Sequence, residues 1–228
     1  MAGVVSPIVR FSPIVRKRGM TIADFSDHWR TTHADAVRGL AGLGRYIQNH
    51  PVVEEGKPLL GWMSFDACAE IEFADAETMN AAMSSDHAKR YVVPDSPRFL
   101  EADRGGLALT ERHVLRDRGA PDEGFKLVTV FRRHPLCSTD ELLDALRGPF
   151  AEAVEHTNPI RHEQLFPIAE LYEDGSAPVC DAVDMLWFED AADAAAFPSS
   201  AAAGEAAAAA AGRVLGVERF VATPVRVN

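Results

Sequence analysis

Apolar positions along the chain follow two rhythms that alternate in a fixed order. Residues 8–15 are apolar and β-branched with Pro13 among them, which predicts an edge or bulged strand. After the turn Arg16-Lys-Arg-Gly19, Thr21 is placed to cap a helix, with Asp24 at the capping-box position. Ile22, Phe25, Trp29, Val37 and Leu40 recur at helical spacing until Gly39, Gly42 and Gly44 end that helix. Residues 45–49 predict a strand and residues 62–73 a second one with imperfect alternation. Asp75 then caps a second helix, and residues 106–114 form a closing strand.

The same order returns in the second half: strands over 125–131, 161–172, 179–188 and 217–227, with helices starting at Ser138 and Asp190. Sliding the sequence by 115 places residues 66–104 on 181–219 without a gap, and 12 of those 39 positions are identical. The Phe73/Phe188, Ser84-Ser85/Ser199-Ser200 and Arg98/Arg213 matches owe nothing to alanine richness. Upstream the offset becomes 116 (Arg45 and Gln48 onto Arg161 and Gln164), then 117 (Trp29 and His33 onto Leu146 and Phe150). Such drift is what a tandem duplication accumulates in its loops. We therefore expect one repeat over residues 1–118, a polar linker at 119–124 and a degenerate second repeat over 125–228. A βαββαβ unit implies a ferredoxin-like α+β fold. Two such sheets face to face make an α/β barrel, here an intrachain pseudo-dimer. A homodimer of pseudo-dimers is the larger alternative.

Composition narrows the partners. The 228 residues are 47% hydrophobic and 25% charged, enough for a sizeable core. A net charge of −11 argues against nucleic acid and against anionic membranes as partners, leaving a small molecule. The first residues lack a signal peptide's basic and apolar regions, and no stretch is long and apolar enough to span a bilayer. Three scattered cysteines suit a reducing cytoplasm. No Cys-x-x-Cys or His-Glu-x-x-His occurs, and His28 and His33, five apart, are expected on different helix faces, so no metal site is expected. Gly39-x-x-Gly42-x-Gly44 ends a helix where a dinucleotide loop would begin one. There is no Gly-x-Ser-x-Gly, Ser84-Ser85 read as a helix end, and His156 and His162 as incidental.

One stripe carries candidate chemistry. Phe25, Trp29, His33 and Val37 are four apart, so they stack along one helix face. Partial burial would draw the His33 pKa below about 6.5 and leave a neutral imidazole able to accept a proton. Tyr46, across the glycine turn, could act as acid or oxyanion donor. Such a pair suits proton abstraction beside a carbonyl, followed by elimination or isomerisation. The plainer reading makes His33 a satisfied core histidine, Phe25 and Trp29 core or pocket wall, and Arg45 and Asn49 closers of strand hydrogen bonds. His28, about 100° round from Trp29, is expected to face solvent.

The run Arg18-Gly-Met-Thr-Ile-Ala-Asp-Phe25-Ser-Asp-His-Trp29-Arg-Thr-Thr-His33-Ala, followed by Arg45-Tyr46-Ile-Gln-Asn49, resembles the EthD family of dimeric α/β barrels, and Asp95-Ser-Pro-Arg-Phe99 resembles that family's Asp-x-x-x-Phe element. The resemblance implies a barrel that uses no cofactor, with a small-molecule cavity between the first helix and the concave sheet. Relatives include a methylmuconolactone isomerase and dehydratases and decarboxylases of aromatic polyketide pathways. In the isomerase the residues matching His33 and Tyr46 line the pocket. The chain departs from the pattern at Asp35, where proline is usual, and in its second half, where Phe150 replaces His33 and His162 replaces Tyr46. At most one cavity should then be equipped. The expectation is a cofactor-independent lyase, dehydratase or isomerase acting on an aromatic, polyketide-like or lactone metabolite. His33 and Tyr46 would be its catalytic pair, with Phe25, Trp29, Asn49 and Arg45 binding substrate. The alternatives are a non-catalytic binding protein and a monooxygenase-type oxidoreductase, whose haem-dependent form would show a Soret band.

Overall fold

A computed structural model describes residues 7–119, 124–172 and 175–228; the first six residues and residues 120–123 of the expected linker lie outside it. The first half runs β1 (Ile8–Arg16), α1 (Ile22–His28), α2 (Ala34–Arg38), β2 (Leu43–Pro51), a small hairpin of β3 (Val53–Glu54) and β4 (Lys57–Pro58), β5 (Ala67–Phe73), α3 (Ala76–Ser84), α4 (Val93–Phe99), β6 (Leu100–Gly105) and β7 (Ala108–Asp117). The second runs β8 (Phe125–Arg133), α5 (Thr139–Ala145), α6 (Ala151–Glu155), β9 (Arg161–Pro167), β10 (Ala182–Phe188), α7 (Ala191–Ala196), α8 (Ala201–Ala209) and β11 (Val214–Arg226). Local chemistry sets the starts. Thr21, Asp75, Ser138, Asp190 and Ser200 each cap a helix through the side chain, Ser138 and Glu141 forming a reciprocal box.

The strands lie in the antiparallel order β5-β2-β11-β8-β10-β9-β7-β1, and β1 pairs with β5 to close the circle. Among the described residues eight strands thus make a barrel, with β6 laid along the end of β1. Closure is reciprocal. The last strand of each half pairs with the second strand of the other, β7 on β9 and β11 on β2. The chain is two tandem ferredoxin-like repeats joined as one α+β barrel.

Hydrogen bonds repeat along with the sequence. The Asp66 carboxylate accepts from the Arg16 amide at 2.9 Å, and that of Asp181 from the Arg133 amide at 3.0 Å. Gln48 Nε2 donates to the Trp29 carbonyl at 2.7 Å, and Gln164 Nε2 to the Leu146 carbonyl at 3.0 Å. Both carbonyls belong to π-helical segments, Trp29–His33 and Leu146–Phe150, which interrupt the first helix of each half at corresponding positions. In the second, Pro149 removes a backbone donor. In the first, Thr31 Oγ1 donates to the Asp27 carbonyl at 2.7 Å and competes with the helix's own bonds. Several boundaries differ from expectation. Residues 62–66 precede the strand that begins at Ala67, residues 169–172 form a 3₁₀ turn after β9, and β6 had no alternation to announce it.

Alternation gives each strand a helix-facing side and a barrel-facing side. The helix-facing sides build one core per half, around Phe25, Trp29, Tyr46 and Phe99 in the first and Phe131, Phe150, Phe166 and Leu186 in the second. The barrel core of Val9, Phe11, Val128, Met185, Trp187 and Phe220 also encloses charge. Lys126 Nζ donates to Glu70 at 2.7 Å and sits 4.5 Å from the Trp187 ring centroid, Arg112 reaches Glu70 at 2.8 Å and pairs with Glu163, and Arg161 donates to Glu163 at 2.7 Å. Burial alone would raise the Glu70 carboxyl, but Lys126 and Arg112 more than reverse this and hold it below the ordinary carboxylate range. Glu70 and Arg112 come from the first half, Lys126 and Glu163 from the second, so these pairs clamp the repeats together. Removing one partner leaves the other charge stranded. Lys126→Met is expected to lower unfolding free energy in urea by about 3 kcal/mol; a loss under about 1 kcal/mol would mean the clamp contributes little.

Candidate functional site

Between the helix layer and the helix-facing sides of β1, β2 and β5 in the first half lies a cavity of about 480 Å³, within the range of small-ligand pockets. Arg10, Trp29, His33, Tyr46, Ile71 and Phe99 are among the residues that line it. The expected pair therefore meets in one space. His33, 8% exposed, comes from the π segment and Tyr46 from β2, which Gln48 ties to that segment.

His33 is held by a residue for which no role was expected. Its Nδ1 lies 2.9 Å from Asp95 Oδ2. A carboxylate can only accept, so Nδ1 carries the proton and Nε2 is the basic nitrogen. Among the described residues Nε2 has no hydrogen-bond partner. Asp95 and Phe99 are one turn apart on α4, and both serve the same imidazole: Phe99 places its ring centroid 4.8 Å from that of His33. The spacing of Asp-x-x-x-Phe was the available signal. Burial lowers the His33 pKa, the Asp95 bond and charge offset part of that, and the His28 and Arg10 charges lower it further; the net direction is down. A neutral imidazole oriented by a carboxylate can take a proton near pH 7.

His28 does not face solvent as expected. Its Nε2 lies 3.0 Å from Asp95 Oδ1, and its ring stacks on Phe99 at 5.0 Å. In an α-helix, residues five apart point about 140° from one another. The π segment widens the turn so that residues five apart come nearly into line, and the Ala34 amide accordingly bonds the Trp29 carbonyl. His28 and His33 thus flank one carboxylate. His28 remains partly exposed, so the basic residue of the cavity is linked through Asp95 to the surface.

Tyr46 is fixed as a donor. Its hydroxyl oxygen accepts from Trp29 Nε1 and from Gln48 Nε2, both at 3.0 Å. With both lone pairs engaged, the O–H can only donate. Burial raises its pKa to about 12, against smaller lowering effects from those bonds and from Arg10 and Arg38, so the phenol stays protonated. Trp29 both lines the cavity and holds Tyr46. Phe25 does not line the cavity; it packs behind, 5.6 Å from Trp29 and 5.9 Å from Phe99. The structure also does not bring Arg45 and Asn49 to this cavity. One residue to either side of a helix-facing position turns into the barrel, where Arg45 donates to Glu72 at 3.1 Å and Asn49 to Glu70 at 2.8 Å.

The second half carries no such pair. Phe150 occupies the place of His33 within an apolar core. His162, at the Tyr46 position, is wholly buried, with Nδ1 2.9 Å from Glu155 and Nε2 2.6 Å from Asp184. Both ring nitrogens are thus committed, and His162 is a built element where the sequence had suggested an incidental one. Burial would lower its pKa, but Asp184 and Glu155 outweigh burial and raise it. Among the described residues no cluster of three or more His, Cys, Asp or Glu could hold a metal ion. No helix among the described residues is long and apolar enough to cross a membrane.

Comparison with known proteins accords with the fold. Residues 17–103 match the EthD domain family. No curated protein matches the sequence. Among solved structures, an anthrone oxidase-like protein superposes with a TM-score of 0.69 at 14% identity, over 98% of this chain and 94% of that one. A candidate monooxygenase of Fusobacterium nucleatum gives 0.62 at 10% identity, over 97% and 93%. A candidate chlorite dismutase gives 0.55 at 11% identity, over 97% and 95%. At these identities the likeness establishes the fold.

The His162 cluster sets a pH dependence of stability. A raised folded pKa means that its contribution is complete below about pH 6.5 and is lost as pH rises through the folded value. The destabilisation caused by His162→Gln, read by urea unfolding, is expected to be larger at pH 6 than at pH 9. An equal loss at both would mean that His162 is neutral in the fold.

Proposed function

We propose, from the match of residues 17–103 to the EthD domain family, that the first-half cavity removes a proton from carbon activated by a carbonyl in a small aromatic, polyketide-like or lactone metabolite. The observation that carries this reading is the pairing, in one cavity, of a neutral imidazole oriented by Asp95 with a phenol fixed as a donor. His33 Nε2 takes the proton, and the C–H electron pair moves into the carbonyl. The new enolate oxygen is met by the Tyr46 hydroxyl. If the imidazolium returns the proton to a different carbon, the result is isomerisation. If it protonates a β-hydroxyl that leaves as water, the result is dehydration. Both make the protein a lyase or isomerase whose steps run through this chain's own residues.

A second reading shares the first step. Two neighbours that match over nearly the whole chain are named as an anthrone oxidase-like protein and a monooxygenase. An enolate can attack dioxygen to form a hydroperoxide, which loses water to leave a new carbonyl. One carbon–hydrogen pair is then oxidised and one dioxygen consumed.

Anthrone and 1-tetralone in deuterium oxide distinguish these readings. Under argon, the protein is expected to speed deuterium entry at the acidic methylene, beside the carbonyl in 1-tetralone and across the ring from it in anthrone, read by NMR. His33→Ala should slow that exchange about 10²- to 10⁴-fold, and Tyr46→Phe by about tenfold or more. Because the His33 pKa is lowered, the acid limb of the rate profile should lie below pH 6.5. Quinone formation from anthrone in air, lost in His33→Ala, would favour oxygenation. Exchange no faster than in buffer for either ketone would contradict the proton-transfer reading and favour a carrier.

A further inference from the structure

Among the described residues the cations inside the barrel core have carboxylate partners, and Arg10, at the cavity, has none. Lys126, Arg112 and Arg161 each meet a glutamate inside the barrel. Arg10 lies on the helix-facing side of β1, with Ile71 and Leu109 opposite it on the neighbouring strands, and it lines the cavity. Among the described residues it makes no hydrogen bond and no ion pair. With 34 acidic residues against 23 basic, the chain has no shortage of carboxylates to supply one. A half-buried cation lining a largely apolar cavity without a counter-charge is costly, so its retention calls for an explanation.

Ser12 is an independent second observation. Two residues along β1, it faces the same cavity, is 6% exposed, and its hydroxyl has no hydrogen-bond partner among the described residues. Buried hydroxyls are ordinarily satisfied. A guanidinium and a hydroxyl on one face of one strand, both aimed into a cavity and both unpartnered, form a donor pair lacking an acceptor. The cavity mouth carries the same sign: Arg104 lines it and adjoins Lys17 and Arg18, with Glu101 the acidic neighbour that accepts from the Arg18 amide at 2.5 Å.

We propose that Arg10 and Ser12 form an anion subsite, and that the cavity's ligand is an aromatic molecule bearing a carboxylate. This rests on the reading that the cavity takes a small aromatic carbonyl compound, and it names the class to which that compound belongs. The carboxylate supplies the acceptor that Arg10 and Ser12 lack and leaves the rest of the molecule against Phe99 and Trp29, within reach of His33 and Tyr46. It also accounts for a soluble chain of charge −11 that gathers cations at one cavity. Arg10 contributes to lowering both the His33 and Tyr46 pKa values, as expected of a cation that shares their space.

The test is calorimetric titration of the full chain with 2-naphthoate and with the neutral isostere 2-naphthamide. Naphthoate is expected to bind at least about tenfold more tightly. Arg10→Met should erase that preference while naphthamide affinity stays within a few-fold. Because the charge stands alone in the ligand-free protein, Arg10→Met is also expected to raise Tm by about 2 to 4 °C. Equal binding of the two compounds, binding of neither at millimolar concentration, or a fall in Tm for Arg10→Met would overturn the proposal. A second variant, Ser12→Ala, should weaken naphthoate alone; equal weakening of both compounds counts against the subsite. Failure here is distinct from failure of proton transfer. Naphthoate preference without deuterium exchange would discard the base and keep the subsite, and exchange without preference would do the reverse.

Discussion

Closing eight antiparallel strands on themselves gives every strand two faces with different surroundings, and the site depends on which face a residue falls on. Toward the barrel, the two sheets meet in a buried interior where any charge must find a partner, and Glu70, Lys126, Arg112 and Glu163 do so across the boundary between the repeats. Toward the helices, each half keeps its own space. Tyr46, Gln48 and His50 face that way from β2, while Arg45 and Asn49 face the barrel. A slip of one residue would exchange the two sets. The clamp inside the barrel therefore also fixes which side chains the cavity receives.

On the helix side the decisive device is the π segment. It exists in both halves and receives the same glutamine contact in each, so it belongs to the shared architecture. Only in the first half does it present a histidine. There the widened turn lets His28 and His33 share Asp95. The second half keeps the scaffold and fills it. Phe150 replaces the base, and His162 becomes a buried imidazole held between Glu155 and Asp184 in place of a phenol. One repeat retains a cavity with reactive groups, and the other uses the equivalent positions for stability.

Much of this was legible in the sequence. Offsets of 115 to 117 revealed the two repeats because the matched Asp, Gln and Ser positions make the same hydrogen bonds in each. The four-residue stripe and the glycine turn brought His33 and Tyr46 to one cavity, since both features are local. Three features stayed hidden for physical reasons. An α-helical wheel separates His28 from His33, and nothing in Trp-Arg-Thr-Thr-His announces a π turn. Asp95 lies 62 residues from His33, a pairing that only helix packing makes. The face of Asn49 depends on the register of β2, which its neighbours on β5 and β11 set.

The central claim is that burial keeps His33 neutral while Asp95 fixes its proton on Nδ1, leaving Nε2 bare toward the cavity. The most direct measurement is ¹⁵N NMR of the histidine side chains across a pH titration, with His33 assigned through His33→Ala. The account expects His33 to carry its proton on Nδ1 at pH 7 and to titrate below 6.5. A proton on Nε2, or a pKa above 6.5, would contradict it.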